Sequence, residues 1–258
     1  MLIQRIALAA LVLAGHASAA EAPIRVILVG DSTMATKSGY GDALCARFTP
    51  DVTCVNLARG GRSTGSFRAE GRWDEVERML KNGAGFKATY VLVQFGHNDQ
   101  PGKPGRSTDL VTQFPANMAR YAQETRALGG VPVLVTPLAR RTFKGTYLAN
   151  DLAPWAEATR RAAAQEHAVL LDLNKDSVAA VQAMGQDEAD TLAVVPRPAG
   201  YGLPADPNKT EPAGAARSAF DRTHLGAKGA EFFARMVERE LVAARPETAP
   251  YFKDGGKP

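Results

Sequence analysis

Cysteine and histidine are scarce: two cysteines, Cys45 and Cys54, and four histidines stand in 258 residues. Two cysteines cannot build the disulfide framework of a small secreted domain. Neither has a second cysteine or a histidine at ligand spacing, which argues against a structural zinc site. Lysines and arginines form no long block, and the formal charge of +4 is modest, so a nucleic-acid partner is not expected. No internal repeat, low-complexity tract or linker divides the chain. Beyond the first twenty residues no apolar run approaches the length of about 20 residues that spans a bilayer.

Those first residues form a unit of their own. Met1 to Arg5 carries one positive charge, Ile6 to Gly15 is apolar, and Ala17-Ser18-Ala19 is a small-residue cleavage site. This is the pattern of a signal peptide, with an uncleaved anchor as the alternative. The expectation is therefore a signal peptide over 1–20 and a single domain over 21–258. The protein would be exported, periplasmic or secreted, off the membrane after cleavage and monomeric. In an exported chain Cys45 and Cys54 are a candidate disulfide. The short loop it closes would be worth roughly 2–3 kcal/mol. Two buried thiols are the alternative.

Apolar runs recur at Ile24–Val29, Thr53–Leu57, Thr89–Phe95, Val131–Thr136 and Ala168–Leu173. They are nearly continuous, as in parallel strands buried on both faces. Between them, helices are predicted over Gly41–Phe48, Trp73–Lys81, Thr112–Leu128 and Ala153–Glu166, with a last one over Ala227–Ala244. In that last helix Phe232, Phe233, Met236, Val237, Glu240 and Leu241 share a stripe, with Arg235 and Glu238 outside it. Alternating strands and helices predict an α/β fold, a three-layer α/β/α sandwich on a five-stranded parallel sheet. Ligands bind such sheets outside the carboxyl ends of the strands. Thr191 to Ala219, rich in Pro, Gly and Ala, is expected to be a long functional or mobile loop.

The polar residues that bear chemistry fall where that rule places them. The first strand runs into Gly30-Asp31-Ser32-Thr33-Met34, where a serine meets a glycine turn. The second runs into Arg59-Gly60-Gly61-Arg62-Ser63. The third ends in Gly96-His97-Asn98-Asp99-Gln100, whose side-chain amide can donate to an oxyanion. Each could be an ordinary polar turn. Asp221-Arg222-Thr223-His224 precedes the last helix, and its spacing sets a carboxylate beside an imidazole. A helix cap is the alternative there. His224 is the first candidate for a general base and His97 the second. His167 is expected on a helix surface, and His16 would leave with the signal.

These four blocks, in this order, resemble the signature blocks of the SGNH (GDSL-like) hydrolases, and most closely the rhamnogalacturonan acetylesterases. The likeness spans Ile24 to about Leu241. It implies a flavodoxin-like sandwich and removal of acetyl groups from a plant cell-wall polysaccharide. It also implies a Ser32–His224–Asp221 triad and an oxyanion hole of Ser32, Gly61 and Asn98, with no cofactor and no metal. The partner expected is an acetylated polysaccharide or oligosaccharide.

Beyond the blocks, Arg59, Arg62, Arg68, Arg72, Arg140 and Arg141 lie on or near segments leaving strands two and four. A basic rim there could grip uronate carboxylates, and Arg62, His97 and Arg140 are the substrate contacts expected from it. Other readings remain: an esterase for acetyl-xylan or a lipid ester, a carbohydrate-binding protein without chemistry, or a phosphate-binding module. The last would have no use for Asp221 and His224 together.

Overall fold

The computed structural model describes residues 22–201 and 219–255. The expected signal peptide and most of the 191–219 loop lie outside the described residues. The chain runs β1 (Ile24–Gly30), α1 (Gly41–Arg47), β2 (Val52–Asn56), α2 (Thr64–Ala69), α3 (Arg72–Lys81), β3 (Ala88–Gln94) and α4 (Gln113–Ala127). It continues with β4 (Val131–Val135), β5 (Phe143–Lys144), β6 (Tyr147–Leu148), α5 (Ala153–Gln165), β7 (Val169–Leu171), α6 (Leu173–Asp190) and α7 (Ala227–Ala244). A 3-10 turn, Pro246–Tyr251, follows.

Five strands pair in parallel in the order β2-β1-β3-β4-β7. Taken as the five strands of one sheet, this is the 2-1-3-4-5 winding of flavodoxin-like sheets, which opens a crevice between the first and third strands. Successive side chains leave a strand on opposite faces, and the core divides accordingly. Val26, Leu28, Leu92, Val133 and Val135 pack with Leu44, Val181, Phe233, Val237 and Leu241 of α1, α6 and α7. Ile27, Val29, Val91, Val93 and Leu134 pack with Phe67, Trp73, Met118, Tyr121 and Ala158 of α2 to α5. Both faces being covered explains why the strands read as unbroken apolar runs. All seven residues of β1 are buried. Each large aliphatic or aromatic side chain so buried stabilises the fold by about 1.5–3 kcal/mol.

The expected strands and helices are all present, with ends shifted by a residue or two. Not anticipated were α2, the β5–β6 hairpin, the 3-10 turn Pro246–Tyr251 and α6, in which Gly185 breaks the helical backbone at φ 72. Cys45 on α1 and Cys54 on β2 form a disulfide, their Cα atoms 5.4 Å apart. His167 is exposed as expected. It lies in the turn two residues past α5 rather than on it, with φ 47. Among the described residues no helix is long and apolar enough to cross a membrane.

Helix α7 departs from its expected pattern at two acids. Glu238, expected outside the apolar stripe, is only 2% exposed and pairs with Arg47, which also binds Glu231 at 2.7 Å. Glu240 lies on the stripe, and both of its carboxyl oxygens are sealed from solvent without a hydrogen-bond partner. Burial, and then the negative charges of Asp176 and Asp172, push its carboxyl up to about 8. Below the ordinary value of 4.5 the group is protonated in both folded and unfolded chains. Between 4.5 and about 8 the unfolded chain releases a proton that the folded chain retains, so stability falls as pH rises. Glu240→Gln removes that loss. Unfolding of variant and wild type at pH 5, 7 and 9 should show the variant's relative stability growing with pH, and a constant difference would refute the account.

Candidate active site

β1 leaves the sheet at Gly30, where a Cβ would lie 2.8 Å from the Gln94 carbonyl oxygen of β3. Glycine alone fits so close to the neighbouring strand. The chain then wraps around Asp31. Its Oδ1 accepts from the Thr33 amide (2.9 Å) and hydroxyl (2.8 Å), and its carbonyl accepts from the Ala35 amide (3.0 Å). Asp side chains favour such turns because they can bond their own backbone two residues on. Ser32 stands on the outside of this turn, half-buried.

The segment after β2 is bound to the same edge, the Arg59 amide donating to the Gly30 carbonyl at 2.9 Å. Gly61 has φ +79, a left-handed conformation that disfavours any side chain. A Cβ on Gly60 would sit 3.7 Å from that of Ser32, so the glycine pair brings bare backbone up to the serine. Ser63 then caps α2 through a reciprocal box with Ser66. From β3, the Asn98 amide donates to the Arg62 carbonyl at 3.0 Å. Its second N–H makes no hydrogen bond among the described residues, and neither do the backbone N–H groups of Ser32 and Gly61. The turns that follow β1, β2 and β3 therefore each carry one uncommitted donor.

The Asp221–His224 turn arrives from far along the chain. Asp221 Oδ1 accepts from the Thr223 and His224 amides, both at 2.7 Å, and its Oδ2 lies 2.9 Å from His224 Nδ1. His224 Nε2 lies 2.9 Å from Ser32 Oγ. Burial pushes the Asp221 carboxyl up, but the bonds from His224 and Thr223 outweigh it and hold the group below its ordinary value. The turn is no helix cap, since α7 begins after Gly226. It docks on the serine loop through the Leu225 amide and Ser38 carbonyl (2.9 Å), while the Ser38 hydroxyl binds the Ser32 carbonyl at 2.8 Å.

Beneath the turn lies Arg141, fully buried. Its guanidinium donates to the carbonyls of His224 (2.8 Å), Asp221 (3.3 Å) and Thr223 (3.4 Å), and its amide donates to the Arg222 carbonyl at 2.8 Å. Burial lowers it to about 10, against the opposing pull of Asp221 and Asp190. Helix α6 completes the support. Asp190 takes two bonds from Arg222, at 2.8 and 3.0 Å, and Gln186 bridges Asp190 to the Arg141 carbonyl. Asp190 and Gln186 escaped the sequence reading because α6 itself did.

Asp221, His224 and Ser32 thus stand in one hydrogen-bonded series, with Gly60 against Ser32 and Asn98 bound to the residue after Gly61, while the expected substrate contacts are turned elsewhere. His97 is only 3% exposed, with Nδ1 3.3 Å from Asp31 Oδ2, close enough for ion pairing but not aligned as a hydrogen bond. It lies under the site, away from the position of either a base or a substrate contact. Burial pushes the Asp31 carboxyl up, but His97 and the Thr33 bonds prevail and hold it low. Arg62 is committed to Glu70 (2.9 Å) and Arg140 to Asp151 and Gln100. Arg72 shares Glu70, Arg68 binds Glu124, and Arg141 is internal. Of the six arginines proposed as a rim, only Arg59 lacks a side-chain partner among the described residues. No group of three or more His, Cys, Asp or Glu able to hold a metal ion occurs among them either.

A serine, imidazole and carboxylate in hydrogen-bonded series, with free N–H donors beside the serine, make an arrangement able to cleave esters. The class defined by this fold and site is that of ester hydrolases on a flavodoxin-like sandwich. The chain belongs to the GDSL-like lipase/acylhydrolase family, whose profile matches residues 28–232, and it is a carboxylic ester hydrolase. It is 32% identical over 223 residues to rhamnogalacturonan acetylesterase RhgT of Bacillus subtilis, covering 83% of this chain and 88% of that one. Protein YxiM of Bacillus subtilis shares the fold at TM-score 0.66 and 20% identity; the match covers 89% of this chain but only 58% of that one. Axe2, an acetylxylan esterase from Geobacillus stearothermophilus, shares it at TM-score 0.56 and 17% identity, over 84% and 93% of the two chains.

Arg141 offers a direct check on how the turn is held. Arg141→Lys keeps the charge and loses the fork that spans three carbonyls. We expect kcat on p-nitrophenyl acetate to fall by about tenfold, the equivalent of roughly 1.4 kcal/mol, with KM changed little. An unchanged kcat would show that the turn holds its shape without the clamp.

Proposed function

We propose that the protein is a serine acetylesterase that deacetylates plant cell-wall polysaccharide, with the rhamnogalacturonan backbone of pectin as its first substrate. The observation that carries this reading is the unbroken series Asp221–His224–Ser32, with uncommitted donors from Ser32, Gly61 and Asn98 around the serine. His224 accepts the Ser32 proton as Oγ adds to the acetyl carbonyl. The three donors hold the negative oxygen of the tetrahedral species. Collapse breaks the bond to the sugar oxygen, and His224 returns the proton to it, leaving acetyl on Ser32. Water activated by His224 then adds to the acetyl-enzyme, acetate departs, and Ser32 recovers its proton. Asp221 holds the imidazole tautomer and offsets its charge while it is protonated.

A polar substrate fits the surroundings. Beside the Gly60 turn lies a cleft of about 380 Å³ lined in part by Thr36, Ser38, Asn56, Arg59, Arg72 and Glu75, a poor receptor for an acyl chain and a good one for sugar hydroxyls. The RhgT likeness supports rhamnogalacturonan over other glycans, and export through a signal peptide over residues 1–20 would place the enzyme where such a polymer is met.

Acetate release from acetylated rhamnogalacturonan, with acetyl-xylan alongside, tests the substrate. Release from xylan alone would keep the mechanism and replace the polymer. Ser32→Ala should abolish turnover in a folded protein, and more than a trace of activity would remove Ser32 from its role. Asn98→Ala should lower kcat by about 10²–10³, the usual cost of one oxyanion donor; a change confined to KM would assign the amide to binding instead.

A further inference from the structure

The distribution of charge around the oxyanion donors is uneven. Most arginines near the site are matched by acids, but the turn between β3 and α4 is an exception. Lys103 donates from Nζ to the His97 carbonyl and touches no carboxylate. The Arg106 guanidinium has no side-chain partner among the described residues, and its Nη1 stands 3.4 Å from where a Cβ on Gly61 would be. Burial, and then the like charges of Arg140 and Arg106, hold the Lys103 ammonium below its ordinary value. Three cations therefore gather with only Asp151, already bound to Arg140, as a carboxylate in contact with any of them.

The turn that carries them is firmly built. The Arg106 amide donates to the Lys103 carbonyl (3.0 Å), and Ser107 Oγ bonds the Gln100 carbonyl (2.8 Å) and the Lys103 amide (2.9 Å). Thr108 returns to the end of β3, its amide on the Asp99 carbonyl (3.0 Å) and its hydroxyl on Asp99 Oδ1 (2.9 Å). Asp99 Oδ1 also receives the Thr64 amide and hydroxyl. The carboxyl of the residue after Asn98 thus anchors both the cationic turn and the start of α2. The cations are held against the oxyanion donors rather than trailing in solvent.

We propose that Arg106, assisted by Lys103, binds the carboxylate of a uronate in the ester substrate, on the sugar that bears the acetyl group or on its neighbour. The site rests on the polysaccharide reading above and deepens it. An ester carbonyl seated against the Gly61 N–H lies beside the Arg106 fork, so a carboxylate a few bonds away meets a guanidinium with no protein anion to displace. Arg62 and Arg140, bound to Glu70 and Asp151, offer no such vacancy. Neutral acetylated sugars gain nothing from it.

The experiment uses one acetylated rhamnogalacturonan oligosaccharide in two forms, with free carboxylates and with the carboxylates methyl-esterified, and follows acetate release. The wild type should favour the free acid by about tenfold in kcat/KM, mostly through KM. That preference should shrink at high salt, because a partly exposed charge pair is screened. Arg106→Gln should bring the ratio near one, and Arg106→Lys should keep part of it. A wild type indifferent to the two forms, or an Arg106→Gln variant that keeps the full preference, would overturn the site while leaving the polysaccharide reading intact. A wild type that cleaves p-nitrophenyl acetate but neither form would remove that reading, and the site with it.

Discussion

The site depends on the pairing of β1 with β3, in which Gly30 lies opposite Gln94. That register brings the two strands to their carboxyl ends at one level, with Ser32 two residues past one end and Asn98 four residues past the other. Glycine at position 30 makes the close pairing possible, and a slip is opposed because a one-residue shift would exchange the strand's side chains between the two differently shaped cores. The two exits are also joined beneath the surface. Asp31 and His97, the residues immediately before Ser32 and Asn98, face each other in the interior. Gln94 donates to the Thr33 hydroxyl at 2.7 Å and accepts from Tyr40 at 2.7 Å. Ser32 and Asn98 are thus mounted on one polar network.

The histidine reaches this edge from 192 residues away in sequence. Closing so long a loop costs little more than closing a shorter one, since the entropy grows only with the logarithm of length. Holding the turn to within a few tenths of an ångström is the harder requirement, and a buried arginine meets it. A guanidinium offers several donors in a fixed plane, so one side chain can serve three carbonyls that a turn leaves without helix or sheet partners. The cost is a cation in the interior, offset by Asp221 and Asp190 nearby. Asp99 shows the same trade. Burial drives its carboxyl up to about 6 against the pull of the Thr64 and Thr108 bonds, and Oδ2 has no partner. Both groups are expensive to bury and both stand where loops from different strands must be locked together.

Much of this was legible in the residues. Continuous apolar runs announced strands covered on both faces, the rule that ligands sit past their carboxyl ends pointed to the segments after the first three strands, and the family resemblance picked Ser32, Gly61 and Asn98 from them. The Asp221–His224 spacing announced its own hydrogen bond. Helix α6 was not legible, because Leu173, Val181 and Ala189 are thinly spread among polar residues and Gly185 interrupts the run. The arginine rim was misread for a related reason. A guanidinium's availability is decided by partners that sequence does not mark, such as Glu124 for Arg68, 56 residues away. Arg106, left out of that reading, is free because the acids of its own turn are bound elsewhere, Asp99 by Thr64 and Thr108 and Asp109 by Val111 and Thr112.

Neutralising most of the arginines has a functional logic for an enzyme of this kind. Deacetylation of the uronate polymer proposed as substrate would leave its carboxylates in place, so a rim of free arginines would hold product as firmly as substrate. Such uniform binding lowers KM without raising kcat, and on a repeating polyanion it would slow departure from every finished site. One or two uncompensated cations against the oxyanion donors act differently. They would meet a carboxylate strongly only when the adjoining ester lies in the site, while Arg62, Arg68, Arg72 and Arg140, each paired with an acid, would let the chain go.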